Sequence, residues 1–451
     1  MNDLGSNNIP GLSSVAKIIF IKPLLWMWRK RLTILSVVII IVAIHGAATV
    51  IMGRKVQARL QEIRAAGDPV YPIDLQQKPV PDSENGAIDL EKIFRPISPL
   101  ALFVDKGLPS SRSRIWEHDR KWWATVKTML KKVDKPLLQV APALAKPHVQ
   151  FEIKWKAGFT TLVPHYYKIR KLSRVLCIKA RCEARAGNTQ QAINWVMLAI
   201  DLSDAFQQEK SVPSQLTRIA VIRIALSALE DIARHCRITP KMQKQIDVGL
   251  SRIELNQSFV NAVKGERALL TPAFISVECI NIDDVMPTFP YSLPLRPFLY
   301  ADELCYLNET ERRIKLLEKP YRDTASQFKQ MEAEISSLPK YCWISSFLLS
   351  NVDSSVSRRD MVVSSINGMK IIYKLASYHS VHGVYPDKLS DLGVDIPKDV
   401  MTGKPYIYKM QGRGFLLHGL GPSLIDHGGK DYRDTQPAYP EQGDISWKFD
   451  N

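Results

Sequence analysis

A mainly α-helical membrane protein is the fold class this sequence predicts: one transmembrane helix, a helical-hairpin middle domain resembling tetratricopeptide units, and a small α+β module at the C-terminal end. Three observations predict it. Leu32 to Gly53 (LTILSVVIIIVAIHGAATVIMG) carries no charged residue. Much of the chain between residues 113 and 383 repeats apolar residues at helical spacing. Beyond Gly383 the pattern shifts to short alternating runs of the kind strands use.

As a helix, Leu32 to Gly53 spans about 33 Å, the thickness of a bilayer's hydrocarbon core. Arg29, Lys30 and Arg31 precede it, Arg54 and Lys55 come directly after it, and no second apolar run of that length occurs. A cleavable signal peptide has a core of only about 7 to 15 apolar residues, so a retained anchor is expected. The basic residues before the span (Lys17, Lys22, Arg29, Lys30, Arg31) slightly outweigh those just after it (Arg54, Lys55, Arg59, Arg64). That balance places the N-terminus in the cytoplasm and the bulk of the chain outside the inner membrane. Val15 to Trp28 is apolar but interrupted by Lys17, Lys22 and Pro23, and with Trp26 and Trp28 it suits the headgroup layer. His45, within the span, is expected to find a backbone carbonyl or a partner helix. The resulting divisions are residues 1–31 (tail), 32–53 (span), 54–110 (juxtamembrane helix and linker), 111–340 (helical domain) and 354–451 (C-terminal module).

The net charge is +16, and Ser111 to Arg185, with 18 Lys or Arg against 5 Asp or Glu, supplies +13 of it. Within that region Ile115, Trp116, Trp122, Trp123, Val126, Met129, Leu130 and Val133 form a helical stripe. Arg120, Lys121, Lys127, Lys131 and Lys132 take the other faces. Such a helix is either a bundle helix with a solvated basic face or a docking element for anionic lipid. No helix-turn-helix, zinc-finger or RNA-stacking motif accompanies it, so nucleic acid is not an expected partner. The six cysteines lack CxxC spacing. Cys177 and Cys182 fall about 140° apart on one helix and cannot bridge, whereas a Cys279 to Cys305 bridge would close a Pro-rich loop.

In chain order, Arg54 to Ala66 continues the membrane helix to a stop at Gly67, Pro69 and Pro72, and a polar linker runs to about Asn85. Further helices are expected at Ser113 to Asp134, Tyr167 to Ala186, Thr189 to Gln207, Pro213 to His235 and Pro240 to Ile253. For the last, Thr239 is the cap and Pro240 the first helical residue. Small residues and the Ala186-Gly187-Asn188 corner make Lys168 to Phe206 resemble a tetratricopeptide hairpin. Asp302 to Leu338 reads as one or two charged helices, and Val356 to Gly383 as a last long helix. Tyr406 to Lys409 and Phe415 to His418 read as a hairpin.

The final stretch contains His382-Gly383-Val384-Tyr385-Pro386, then Thr402-Gly403-Lys404-Pro405-Tyr406, the hairpin, and Gly443-Asp444-Ile445-Ser446-Trp447. From about Met361 to Asn451 it resembles the C-terminal region of the type II secretion major pseudopilin, the G-type subunit. The whole chain resembles single-pass bacterial membrane proteins that carry such a module behind a helical middle. No Gly-Phe-Thr-Leu-Ile-Glu processing site precedes Leu32, and Gly158 to Leu162 echoes that motif without an apolar run after it. The resemblance implies a long helix packed on the hairpin, Trp447 covering one end, and a calcium loop built from a backbone carbonyl and carboxylates. The Leu420 carbonyl, Asp426 and Asp444 are the expected ligands; Asp431 and Asp434 are possible substitutes. Ser423 and Gln442 stand where the family has acidic residues, which implies weak calcium binding or none.

GxGxxG, P-loop, HExxH and GxSxG motifs are absent from the sequence, so no reaction class is indicated. His379 and His382 share a helix face but have no third ligand at metal-site spacing. The expectation is a non-enzymatic, membrane-anchored extracytoplasmic protein that binds or scaffolds protein partners of the envelope. Two alternatives are an assembly factor or minor component of a type II secretion or pilus-like apparatus, and an enzyme on an envelope polymer that uses Glu278, Asp283 and Asp284.

Overall fold

The structure, a computed structural model, describes residues 22–107, 114–274, 292–349, 353–393, 395–434 and 443–450. Helix α1, Lys22–Ala65, has 44 residues and is about 66 Å long. Its apolar window is not buried in the protein, and Val42 and Ile44 are each 64% exposed. Residues 22–28, placed at the headgroup layer by sequence, belong to this same helix, and residues 15–21 lie outside the described residues. The C-terminal end of α1 is different: Val56, Leu60 and Ile63 recur at helical spacing and are buried.

Beyond α1 the chain is largely helical: α2 (Gly86–Gly107), α3 (Arg120–Leu138), α4 (Val140–Leu144), α5 (Pro164–Arg185), α6 (Thr189–Asp204), α7 (Val212–His235), α8 (Pro240–Ser251) and α9 (Asn256–Leu270). From residue 292 onward come α10 (Ser292–Leu317), α11 (Tyr321–Ser336), α12 (Trp343–Leu349) and α13 (Asp353–His382). One small antiparallel sheet, β1 (Ile407–Gln411), β2 (Gly414–Gly419) and β3 (Ile445–Phe449), lies near the C-terminal end in the order β1-β2-β3.

Several expected boundaries move for identifiable reasons. Between the polar linker expected to about Asn85 and the helix expected from Ser113 lies α2, which was not expected, a helix with Pro96 and Pro99 inside it. Each proline removes an N–H donor, yet Leu90, Ile93, Phe94, Ile97, Leu100 and Val104 bury one face, and that packing outweighs the lost bonds. The expected Ser113 to Asp134 helix is split into a short 3₁₀ turn, Arg114–Glu117, and α3. Asp119 causes the split, because its carboxylate accepts the Trp122 N–H at 2.7 Å and so restarts the helix. Helix α9 and strand β3 were not expected from sequence. Thr239 caps α8 as expected, accepting the Met242 N–H.

Helices α5, α6 and α7 pack on one another, with α2 and α3 covering one side. Gly187, at φ +86°, makes the α5–α6 corner, and Asn188 N–H closes it on the Glu183 carbonyl at 2.9 Å. The buried Arg218 guanidinium ties three helices together. It donates to Asp204 Oδ1, the Glu254 carbonyl and Ser258 Oγ at 3.1, 2.6 and 2.9 Å. Along α3, Trp123 is buried and Trp122 stacks on His118, so the apolar stripe packs within the protein while Lys121, Lys127, Lys131 and Lys132 lie on the surface.

Among the described residues, two large apolar cores result. One runs without interruption from Ala87 in α2 to Phe449 in β3, so the middle helices and the C-terminal segment share it. Arg223 reinforces the join by donating to the Tyr432 hydroxyl at 2.8 Å, and the Tyr373 hydroxyl donates to the Leu229 carbonyl at 2.9 Å. The second core gathers Val56, Leu60 and Ile63 of α1 with Leu299, Tyr306 and Leu307 of α10 and Ile344 of α12. Arg267, almost fully buried, bridges Asp68 just beyond α1 and Glu311 of α10 at 3.1 and 3.0 Å.

Candidate metal centre in the C-terminal loop

Strand β2 pairs with both neighbours, so successive side chains alternate between two faces. Phe415 and Leu417 share one face, which packs against α13 together with Trp447 of β3. The approach there is close: a Cβ on Gly368 of α13 would lie 2.1 Å from the Trp447 ring. Leu416 and His418 occupy the other face. The chain after β2 folds back over them, with Gly429 close enough that a Cβ would lie 2.8 Å from Leu416. His418 is thereby fully buried.

Three backbone clamps shape this loop. Buried Asp399 accepts the Leu420 N–H at 3.2 Å and the hydroxyls of Ser364 and Thr402 at 2.6 and 2.9 Å, which fixes where β2 ends. Asp444, just ahead of β3 and fully buried, accepts the N–H groups of His427 and Gly429 through Oδ2 at 3.0 and 2.8 Å. Its own N–H donates to the Lys430 carbonyl at 2.7 Å. Asp426 accepts the Gly428 N–H at 2.7 Å.

These clamps bring His418, Asp426 and Asp444 together, with one potential ligand atom from each lying within 4.8 Å of the others. His418 Nε2 is 3.1 Å from Asp426 Oδ1 and 3.9 Å from Asp444 Oδ2. The Gly428 N–H bond and, after it, the His418 imidazole hold the Asp426 carboxyl below its usual pKa. His427 adds a second imidazole at the edge, its Nδ1 3.6 Å from Asp444 Oδ1. Asp444 Oδ1 and His418 Nδ1 are buried without hydrogen-bond partners, which is costly unless something else satisfies them. One imidazole and two carboxylates form a donor set for a divalent cation. Nitrogen beside oxygen suits zinc or manganese better than calcium, which takes oxygen ligands.

Of the residues expected from sequence, Asp426 and Asp444 meet at this point. Leu420 is held through its N–H on Asp399. Asp431, expected as a substitute ligand, is used elsewhere: Arg433 grips both its oxygens at 2.8 and 2.9 Å, and Ser446 N–H and Oγ donate to Oδ2. Ser423 Oγ accepts the Ile425 N–H, Asp434 ends a 3₁₀ turn, and Gln442 lies outside the described residues. His418 is the member that sequence reasoning missed. Its only signal was a polar residue at an alternating position in an otherwise apolar strand.

The other candidates resolve individually. His379 stacks on Tyr385 and His382 on Tyr378, with centroids 4.4 and 4.0 Å apart, so each imidazole of that pair has its own aromatic partner. His45 Nε2 lies 3.0 Å from the Pro294 carbonyl, the kind of partner expected for it. Glu278, Asp283, Asp284 and Cys279 lie outside the described residues. Cys305, the proposed partner of Cys279, is a free thiol whose pKa burial raises. Compared with models of protein families, with curated proteins and with solved structures, the chain finds no match.

Proposed function

We propose that this chain is a single-pass membrane protein that holds a helical body at the bilayer surface as a binding or scaffold element for other envelope proteins. The observation that carries the reading is α1. None of its apolar window is buried, with contacts to the body among the described residues confined to the stretch from His45 onward, while the half beyond it is built into a core, so the body is fixed to the anchor rather than loosely tethered. The N-terminus lies inside and the body outside, as the flanking basic residues favour. The antiparallel α5 and α6 hairpin packed on α7 supports a scaffold role, since such helical surfaces serve as protein-binding faces. Affinity purification of the full chain from detergent-solubilised membranes tests it. One envelope protein recovered in constant proportion supports the role, and a chain that purifies alone at every detergent and salt condition contradicts it.

A second reading, a component or assembly factor of a type II secretion or pilus-like apparatus, draws support from α13 lying against a small antiparallel sheet whose last loop gathers acidic residues. Recovery of secretion-machinery subunits in the same purification would favour it. On either reading the loop is proposed to hold a structural divalent cation on His418, Asp426 and Asp444, zinc or manganese in preference to the calcium implied by resemblance. Melting of the full chain with zinc, manganese, calcium or chelator should give a rise of several degrees with one of the first two, lost in Asp444→Ala. A rise with calcium alone reverses the preference, and no rise with any ion removes the metal.

A further inference from the structure

Helix α10 lies alongside α1 over a stretch that includes part of the membrane span itself. Three contacts come in the same order on both helices. His45 Nε2 meets the Pro294 carbonyl at 3.0 Å, the Tyr300 ring lies where a Cβ on Gly53 would be 3.1 Å away, and Arg59 is 3.7 Å from Glu311. The two helices therefore run parallel. Gly53 ends the uncharged stretch and His45 lies eight residues earlier, about 12 Å deeper along the helix. The beginning of α10 touches α1 at that deeper level.

The residues placed there suit lipid. Ser292 to Tyr300 (SLPLRPFLY) carries a single charge, Arg296, on a long stem able to reach a headgroup. Leu295 and Phe298 are 47% and 52% exposed. The Phe298 ring lies 6.3 Å from Tyr341, and Tyr341 leads into α12, where Trp343 and Phe347 are 47% and 64% exposed. Asp302 holds α12 in place by accepting the Ile344 and Ser345 N–H groups, both at 3.0 Å. Tyr300, two residues after Phe298, joins this region to α1 at Gly53, and Val50 and Ile51 just before Gly53 are 53% and 54% exposed. Exposed Arg54, Lys55 and Lys340 accompany it, at the places where headgroup phosphates would meet them.

We propose that the first turns of α10 and the exposed side of α12 are seated in the bilayer. Ser292 to Tyr300 enters the leaflet beside α1, and Tyr341, Trp343 and Phe347 rest at the headgroup boundary, where amphipathic rings settle. The occupant of this surface is lipid. The assignment rests on reading α1 as a membrane anchor, and it gives the body a fixed orientation on the membrane.

Photocrosslinking tests it in the full chain reconstituted into vesicles of phosphatidylethanolamine and phosphatidylglycerol carrying a tagged phospholipid. The photoreactive analogue p-benzoylphenylalanine replaces Phe298, Phe347, Ile41 or Val248, one at a time. Ile41 lies inside the span, and Val248 is 57% exposed on α8. Positions 298 and 347 should take up lipid within about threefold of position 41, and position 248 at least tenfold less. Lipid at 41 with 298 and 347 no better than 248 overturns the proposal alone. Crosslinks from 298 or 347 to a second copy of the chain also overturn it. Absence of lipid at 41 overturns the anchor reading itself, so the two failures are distinguishable.

Discussion

Gly368 and Trp447 show how strongly single residues constrain this fold. The Trp447 ring is buried, and a methyl group added at Gly368 would occupy space the ring already fills. Gly368→Ala should therefore destabilise the protein by about 1–3 kcal/mol, the usual range for overpacking. Trp447→Phe in the same chain should restore part of that loss, as expected for two residues in contact. Denaturant melts of both variants check this, and an unchanged midpoint in Gly368→Ala contradicts the packing. Glu303 is a different kind of constraint: burial alone pushes its carboxyl up to about 7, and Oε1 has no partner. The raised pKa means the folded state prefers the protonated acid. Its contribution is complete below the unfolded value near 4.5 and is lost progressively as pH rises from there through 7. Unfolding free energy should fall by up to about 3 kcal/mol between pH 5 and pH 8, and Glu303→Gln should flatten that fall. An equally steep decline in the variant would place the titrating group elsewhere.

Among the helices, the second core makes a specific claim about α10 and the segment leading into α12. Cys305 on α10 and Cys342 just ahead of α12 are free thiols at that contact, while Cys177 and Cys182 are buried apart. Mild copper-catalysed oxidation, with oxygen accepting the two electrons, should link Cys305 to Cys342, detectable as one crosslinked peptide pair by mass spectrometry. Failure of Cys305 and Cys342 to link, with both thiols recovered unmodified, would contradict the packing of α10 on the segment leading into α12. The same helices differ in how far a single sequence discloses them. Helix α1 was legible because an uncharged run of that length has few other uses, and the start of α8 because Thr239 and Pro240 are local signals. Helix α2 was hidden because Pro96 and Pro99 argue locally against a helix that only tertiary packing rescues. The loop site was half legible. Asp426 and Asp444 stood out as carboxylates, but Asp431 could not be set aside without knowing that Arg433 and Ser446 would saturate it. His418 became a candidate only when Gly429 brought the loop across its strand.

Across the full chain, one core extends from α2 through α13 to β3, so the C-terminal segment is bound to the helical body by shared apolar surface. The second core binds that body in turn to α1. An anchor built into the body transmits its position to everything above it, which is the physical basis for reading the chain as a scaffold with a set orientation on the membrane. That reading stands or falls with α1 as an integral anchor, and alkaline carbonate extraction of membranes carrying the full chain decides the point. The whole chain should stay in the membrane pellet after extraction and be released only by detergent. Recovery of the intact chain in the carbonate supernatant would contradict it.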